Sequence, residues 1–292
     1  MQNDRLKWIY LAILSIIWGS SFILIKKGLL GLTAMQLGAV RIIFAGFFLF
    51  LIGFPSIKKI PKKTWKWVAI SGFLGTFFPA FFFSYAETEI DSSIASILNS
   101  FTPLNTLVFG YLVFQLNFSR QQVLGVVVGL AGTLLLIFAG AQVNPDQNYY
   151  YALFVLAASI CYAFNVNIIK RYLQDLSAMS IAVGNFLVIM IPAIFTLIFS
   201  GFFDQDVTEN EVIMESLGYL VLLAVFGTGF AKIMFNKLVQ MATPVFATSV
   251  TYTIPIVALL WGILDGERLN VLQIIAAGII LLGVYLANKK KK

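Results

Sequence analysis

Ten apolar runs fill this chain almost end to end, at 8–27, 33–54, 65–86, 92–114, 119–140, 150–171, 178–200, 216–238, 243–264 and 270–288. Each is close to the roughly 20 residues that a helix needs to cross about 30 Å of hydrocarbon. Lipid offers no partner to a free backbone N–H or C=O, and the runs are too long for barrel strands, so all ten are expected as helices. Only 11% of the 292 residues are charged and 60% are hydrophobic, too little polar residue to coat a water-facing domain. The longest connections, 55–64 and 201–215, leave no room for one.

The second five runs repeat the first five. At an offset of 144, Ser15-Ile16 matches Ser159-Ile160, Ile25-Lys26 matches Ile169-Lys170, and Ala34-Met35 matches Ala178-Met179. At an offset of 152, Gly75-Thr76 matches Gly227-Thr228, Phe78 matches Phe230, Ala95 matches Ala247, Pro103 matches Pro255, and Gly110 matches Gly262. The Gly-Thr and mid-helix Pro pairs weigh most, because Leu and Ile identities arise by chance in apolar sequence. Five is odd, so the second copy enters the membrane from the opposite side. The expected fold is an all-α membrane protein with ten transmembrane helices, arranged as two inverted five-helix repeats over 1–142 and 143–292. Inverted repeats of this kind accompany alternating-access carriers.

Charge sets the orientation. With the N-terminus in the cytoplasm, that side holds 15 Lys and Arg: Arg5, Lys7, Lys58, Lys59, Lys62, Lys63, Lys66, Arg120, Lys170, Arg171, Lys237 and Lys289 to Lys292. The outside holds three, Lys26, Lys27 and Arg268. This positive-inside bias places both termini in the cytoplasm of a multi-pass bacterial inner-membrane protein, and it accounts for the net charge of +7 without nucleic acid as a partner. The charged segment Met1 to Lys7 runs straight into the first span without a small-residue cleavage site, which reads as a retained helix. The single cysteine, Cys161, permits no intrachain disulfide, and the absence of histidine removes the commonest metal ligand. No metal and no cofactor are expected.

The chain resembles the EamA-type carriers of the drug/metabolite transporter superfamily. The resemblance is carried by Trp18-Gly19-Ser20-Ser21-Phe22 in span 1, Arg41 in span 2, the fourth and ninth spans with their prolines, and the turn Gly266-Glu267-Arg268-Leu269 after Pro255. The glycines of the final helix of each half, Gly125 to Gly132 and Gly278 to Gly283, belong to it as well. The corresponding turn of the first half, Gln115-Leu116-Asn117, departs from the pattern by lacking an acid. The resemblance covers nearly the whole chain. It implies ten helices around a central cavity and the export of amino acids or other small metabolites.

The repeat locates candidate substrate contacts, since such sites lie near the midplane between halves. Trp18 and Ser21 share a face of span 1, and their equivalents Tyr162 and Asn165 share the same face of span 6. Ser96, Asn99 and Pro103 in span 4 correspond to Thr248, Thr251 and Pro255 in span 9, with Tyr252 adjacent. Each proline removes a backbone donor and frees a carbonyl that can bind substrate or let the helix bend. Lys232 in span 8 shares a stripe with Gly229 and Asn236, and a buried lysine there suits a carboxylate or phosphate on the substrate. Arg41 reads as mainly structural. The expected binding set is therefore Trp18, Ser21, Asn99, Tyr162, Asn165, Lys232, Asn236, Thr251 and Tyr252. Gly75, Pro103, Gly227 and Pro255 are expected as hinge or packing positions. Gly125-x-x-x-Gly129 reads as close packing within one half rather than as a dimer contact.

Every Asp and Glu falls at a span end or in a loop, so the expected transport is facilitated export or exchange rather than proton-driven pumping. The spans offer no catalytic histidine, carboxylate pair or activated nucleophile, so an enzyme is not expected, and no ATP-binding motif is present. The expected partners are a small-molecule substrate and the lipid bilayer, and the protein is expected as a monomer. Multidrug efflux of lipophilic compounds is the alternative function.

Overall fold

The computed structural model describes residues 2–90, 92–140, 148–264 and 271–288. The turn Gly266-Glu267-Arg268-Leu269 and Lys289 to Lys292 lie outside the described residues. Among those described, every regular element is a helix or helical turn. In chain order the α-helices are α1 (Gln2–Gly28), α2 (Ala34–Gly53), α3 (Trp65–Gly72), α4 (Phe78–Ala86), α5 (Ser92–Asn99), α6 (Thr102–Leu112), α7 (Arg120–Gly140), α8 (Ala152–Tyr172), α9 (Ala178–Phe199), α10 (Glu211–Leu222), α11 (Ala231–Met241), α12 (Pro244–Thr248), α13 (Val250–Leu264) and α14 (Val271–Asn288). Six continuous segments among the described residues are long and apolar enough to cross a membrane: Arg5–Gly28, Ala34–Lys59, Lys62–Ala86, Ala152–Tyr172, Ala178–Phe199 and Glu211–Met241. Large apolar side chains such as Leu51, Phe138, Leu153, Phe195 and Phe199 stand exposed on the outside of the bundle, a surface suited to lipid and not to water.

Local signals in the sequence set the helix starts. Thr33 caps α2 through a reciprocal pair: the Gln36 N–H donates to its hydroxyl and its own N–H donates to the Gln36 side chain. Ser177, at the matching position of the repeat, caps α9 by accepting from the Ser180 N–H. At the other end of α8, Lys170 donates to the Ala242 carbonyl at 2.8 Å and so helps to satisfy the free carbonyls that end α11.

Two of the expected long helices contain wide π-helical turns. Phe73–Phe77 joins α3 to α4, and Leu223–Phe230 joins α10 to α11. The matched Gly-Thr pairs, Gly75-Thr76 and Gly227-Thr228, sit inside these turns. Such turns are rare and occur mostly where a helix has been adapted locally.

The proline effects differ from a simple kink. The span expected at 92–114 breaks at Ser100 and Phe101, which leaves Pro103 in the first turn of α6, where a missing N–H costs little. The carbonyl it frees, that of Asn99, accepts the Thr102 hydroxyl at 2.6 Å. The span expected at 243–264 is interrupted at Ser249, while Pro255 stays inside α13. Its freed carbonyl, that of Thr251, accepts the Ser100 hydroxyl at 3.2 Å. Both carbonyls thus already hold a hydroxyl partner.

Packing interleaves the two halves of the sequence. α1 lies against α13, α10 and α11, whereas α8 lies against α3 to α6. α2 packs on α9, and α7 packs along α14. The Gly125-x-x-x-Gly129 face is therefore used between halves, which corrects the expectation of packing within one half. Gly125 and Gly129 meet Gly283 and Ala287 of α14, with the Gly283 backbone set against that of Gly129.

Candidate functional site

The interleaved helices leave a central cavity with about 100 Å³ of water-accessible space. α1 supplies Trp18, Ser21, Phe22 and Ile25, spaced to share one helical face. α8 supplies Tyr162 and Asn165, the two π turns supply Gly75-Thr76 and Gly227-Thr228, and α11 supplies Lys232 and Phe235. Asn99 of α5, Thr102 of α6 and Thr248, Thr251 and Ile254 of α12 and α13 complete much of the wall. α7 and α14 contribute nothing to the described lining.

Sequence-matched positions converge on this one cavity. Trp18 and Tyr162 both line it, as do Ser21 and Asn165, Gly75 and Gly227, Thr76 and Thr228, and Asn99 and Thr251. Each π turn also receives a donor from the other half of the chain. Pro79 has no N–H to offer the carbonyl four residues before it, that of Gly75, and the Lys232 ammonium donates to this carbonyl at 3.0 Å. The Trp18 indole N–H donates to the Gly227 carbonyl at 3.0 Å, and its ring meets Phe235 edge-on at 5.1 Å. Glycine at position 75 permits this close approach: a Cβ there would lie 2.5 Å from the Lys232 Nζ and from the Asn165 side chain, and these side chains would have to shift.

Arg41 is part of this wall, and its Nε donates to the Thr228 hydroxyl at 2.7 Å. Asn165 accepts from the Ser71 hydroxyl at 2.7 Å, which fixes its amide. The Thr76 hydroxyl is buried without a hydrogen-bond partner. Two residues of the expected binding set lie off the wall. Asn236 is buried and donates to the Ala178 carbonyl at 3.3 Å, tying α11 to α9. Tyr252 is buried beside Gly129 and donates to the Val126 carbonyl at 3.0 Å. Tyr252→Phe is accordingly expected to cost about 1 kcal/mol of stability, the usual worth of one such bond. Thermal unfolding in detergent should show that loss while ligand affinity stays at the wild-type level.

Phe22, Arg41, Thr76, Phe83, Thr228 and Phe235 also line the cavity, outside the binding set expected from the sequence. Helical periodicity alone points to Phe22, four residues after Trp18, and the matched Gly-Thr pairs already mark Thr76 and Thr228. Phe83 and Phe235 carry no signal that separates them from other apolar wall residues.

Glu87 follows α4 at the end of the Lys62–Ala86 segment and is only 7% exposed. One carboxylate oxygen accepts from the Ser92 hydroxyl at 2.7 Å, and the other has no partner. Burial pushes its pKa up to about 8, against the opposing pull of Ser92, Arg41 and Lys26. The folded state therefore holds a proton that the unfolded chain releases at ordinary carboxylate pKa values, so stability falls as pH rises between about 4.5 and 8. Glu87→Gln removes that slope. Its melting temperature should exceed that of the wild type at pH 8.5 by clearly more than at pH 4.5, and an equal difference at both values would contradict the assignment.

Comparison with known proteins bears on the whole chain. The model of the EamA-like transporter family matches twice, over residues 6–138 and 150–289. An "uncharacterized inner membrane transporter", YedA of Escherichia coli K12, is 29% identical over 95% of this chain and 89% of its own length. A "probable amino-acid metabolite efflux pump" of Salmonella typhimurium is 24% identical over 95% of this chain and 93% of its own. One crystal structure, of a protein 17% identical, shares the fold with a TM-score of 0.72 over 96% of this chain and 95% of that one.

Proposed function

The chain belongs to the EamA-like transporter family of membrane transporters, and from this we propose that it exports small metabolites, amino acids or related amphipathic compounds, by alternating access through the central cavity. The observation that carries this reading is the convergence of five sequence-matched pairs of residues on one cavity. A carrier built from two inverted five-helix halves, 1–142 and 143–292, needs its site where equivalent positions of the two halves meet. The double family match and the 15-to-3 division of Lys and Arg support that architecture, with both termini cytoplasmic. The names of the Escherichia coli and Salmonella relatives support a bacterial inner membrane and an efflux direction.

In this reading Trp18, Ser21, Asn99, Tyr162, Asn165, Lys232 and Thr251 contact substrate, and Arg41 joins them. Asn236 and Tyr252 hold the helices that carry the site. The π turns serve as places where α3–α4 and α10–α11 bend as access alternates, with Gly75 and Gly227 keeping the walls close. Among the described residues no acid lines the cavity, which favours downhill export or exchange. The family points to transport and not to catalysis, and a single chain that encloses its own site works as a monomer.

The aromatic wall supports a second reading, efflux of lipophilic drugs. A thermal-shift screen of purified protein against amino acids, organic acids, nucleobases, sugars and cationic drugs separates the two, repeated on Lys232→Ala and Tyr162→Ala. Stabilisation by a metabolite that is lost in both variants supports metabolite export. Stabilisation by lipophilic cations alone, unchanged in Lys232→Ala, moves the function to drug efflux. Uphill accumulation driven by an imposed pH gradient in proteoliposomes would overturn the downhill mechanism.

A further inference from the structure

We propose that the central cavity selects small organic anions, carboxylates with an apolar body, over zwitterions and cations of the same shape. The proposal rests on reading this cavity as the transport site, and within the small metabolites proposed above it places organic acids ahead of zwitterionic amino acids.

The charge inventory of the wall carries it. Two basic side chains, Arg41 from α2 and Lys232 from α11, face the cavity, and no carboxylate is among its described lining residues. Each cation is anchored to a neutral acceptor, Lys232 to the Gly75 carbonyl and Arg41 to the Thr228 hydroxyl. An ammonium has three donors and a guanidinium five, and the described structure engages one of each in hydrogen bonds to protein. Neither side chain has an ion-pair partner among the described lining residues, and basic groups held inside a membrane protein mark substrate or ion pathways. A ligand carboxylate brings two acceptor oxygens to such a pair, and charge-assisted bonds of this kind are the strong ones. The Thr76 hydroxyl, next to Gly75 in the same wall, is buried without a hydrogen-bond partner and adds a further donor.

The ammonium of a zwitterion meets no carboxylate among the described lining residues. Glu87 is the nearby acid that acts electrostatically on Arg41, but it lies beyond the wall, bonded to Ser92, and burial favours its neutral form. A cationic ligand meets the Arg41 guanidinium and the Lys232 amine in a setting where water screens charge little. The remaining wall is apolar and aromatic, with Trp18, Phe83, Tyr162 and Phe235 placed to hold a ring or short chain.

Three probes with nearly the same phenyl-alkyl skeleton isolate charge: 3-phenylpropionate, phenylalanine and 2-phenylethylamine. Their affinities are measured on purified full-length protein at pH 7, and their efflux is measured from proteoliposomes. The expected result is that 3-phenylpropionate binds at least about tenfold more tightly than either other probe. That preference should disappear in Lys232→Gln and Arg41→Gln and survive in Lys232→Arg, which keeps the charge. Equal or tighter binding of phenylalanine or 2-phenylethylamine, or no binding of 3-phenylpropionate, overturns the proposal. Preferred efflux of a zwitterion or cation overturns it too, and leaves the carrier reading standing. Anion binding without efflux of any probe supports the charge selectivity and contradicts the carrier reading.

Discussion

Gly283→Leu is expected to abolish the yield of folded protein, and Gly283→Ala to lower it sharply. A Cβ at position 283 would lie 2.5 Å from the Gly129 Cα and 2.9 Å from the Gly125 carbonyl oxygen, with the Gly129 nitrogen closer still. These neighbours are backbone atoms of α7 and cannot rotate aside, so the two helices would have to separate along their contact. In lipid that contact depends on close packing of small residues, because water exclusion does not drive helices together there. Overpacking typically costs about 1–3 kcal/mol per site, and more when backbone must move. Gly278 is the control on the same helix: no atom outside its immediate surroundings lies within 4 Å of a Cβ built there. Gly278→Ala should be neutral, or stabilising by up to about 1 kcal/mol through helix propensity. Elution profiles and thermal unfolding of the purified variants measure both. A Gly283→Ala variant as stable as Gly278→Ala would contradict the backbone-to-backbone packing of α7 on α14.

Lys232→Gln is expected to reduce transport by about a hundredfold, equivalent to about 2.8 kcal/mol, while leaving the protein folded. Lys232 is only 6% exposed and its ammonium reaches the Gly75 carbonyl that Pro79 leaves without a helical donor. A glutamine side chain keeps an N–H donor, on a side chain one atom shorter, while the charge is removed. If Lys232 served only to hold the turn, the loss of transport in Lys232→Gln would match its loss of stability. A charged hydrogen bond is worth about 1.5–3 kcal/mol, the size of the loss expected if the charge acts on substrate. Gly75→Ala attacks the same point from the other side, since its Cβ would displace the Lys232 ammonium and the Asn165 amide. Those are side-chain ends that can move, so transport should fall further than stability does. Initial rates of efflux from proteoliposomes, compared at equal amounts of folded protein, decide the matter.

The helical content and the positions of the main segments were legible because apolar runs of membrane-spanning length leave no alternative that satisfies the backbone. The cavity wall was legible where polar or aromatic residues recur at matched positions: Trp18 with Tyr162 and Ser21 with Asn165 need only the helical period and the offset. Local backbone departures were not legible. Pro103 reads as a mid-helix kink, yet the helix breaks two residues earlier and places the proline where its missing N–H matters little. The wide turns at Phe73–Phe77 and Leu223–Phe230 add a residue to a helical turn without altering hydrophobicity, so composition carries no trace of them. Asn236 and Tyr252 show the other limit. A polar residue on an apolar helix announces that it needs a partner, but whether the partner is a substrate or the Ala178 and Val126 carbonyls depends on which helix lies opposite. The same ambiguity applies to Arg41, whose partner Thr228 is far away in sequence and adjacent only in the fold.

The most direct test of the carrier reading is counterflow: proteoliposomes loaded with unlabelled 3-phenylpropionate, phenylalanine or 2-phenylethylamine are diluted into a trace of the same labelled compound. A carrier with one alternately exposed cavity predicts that at least one probe shows transient, saturable accumulation of label above its outside concentration. Lys232→Gln should greatly reduce that accumulation. Label that only equilibrates at a rate independent of the internal load, for every probe, would contradict a single alternating site.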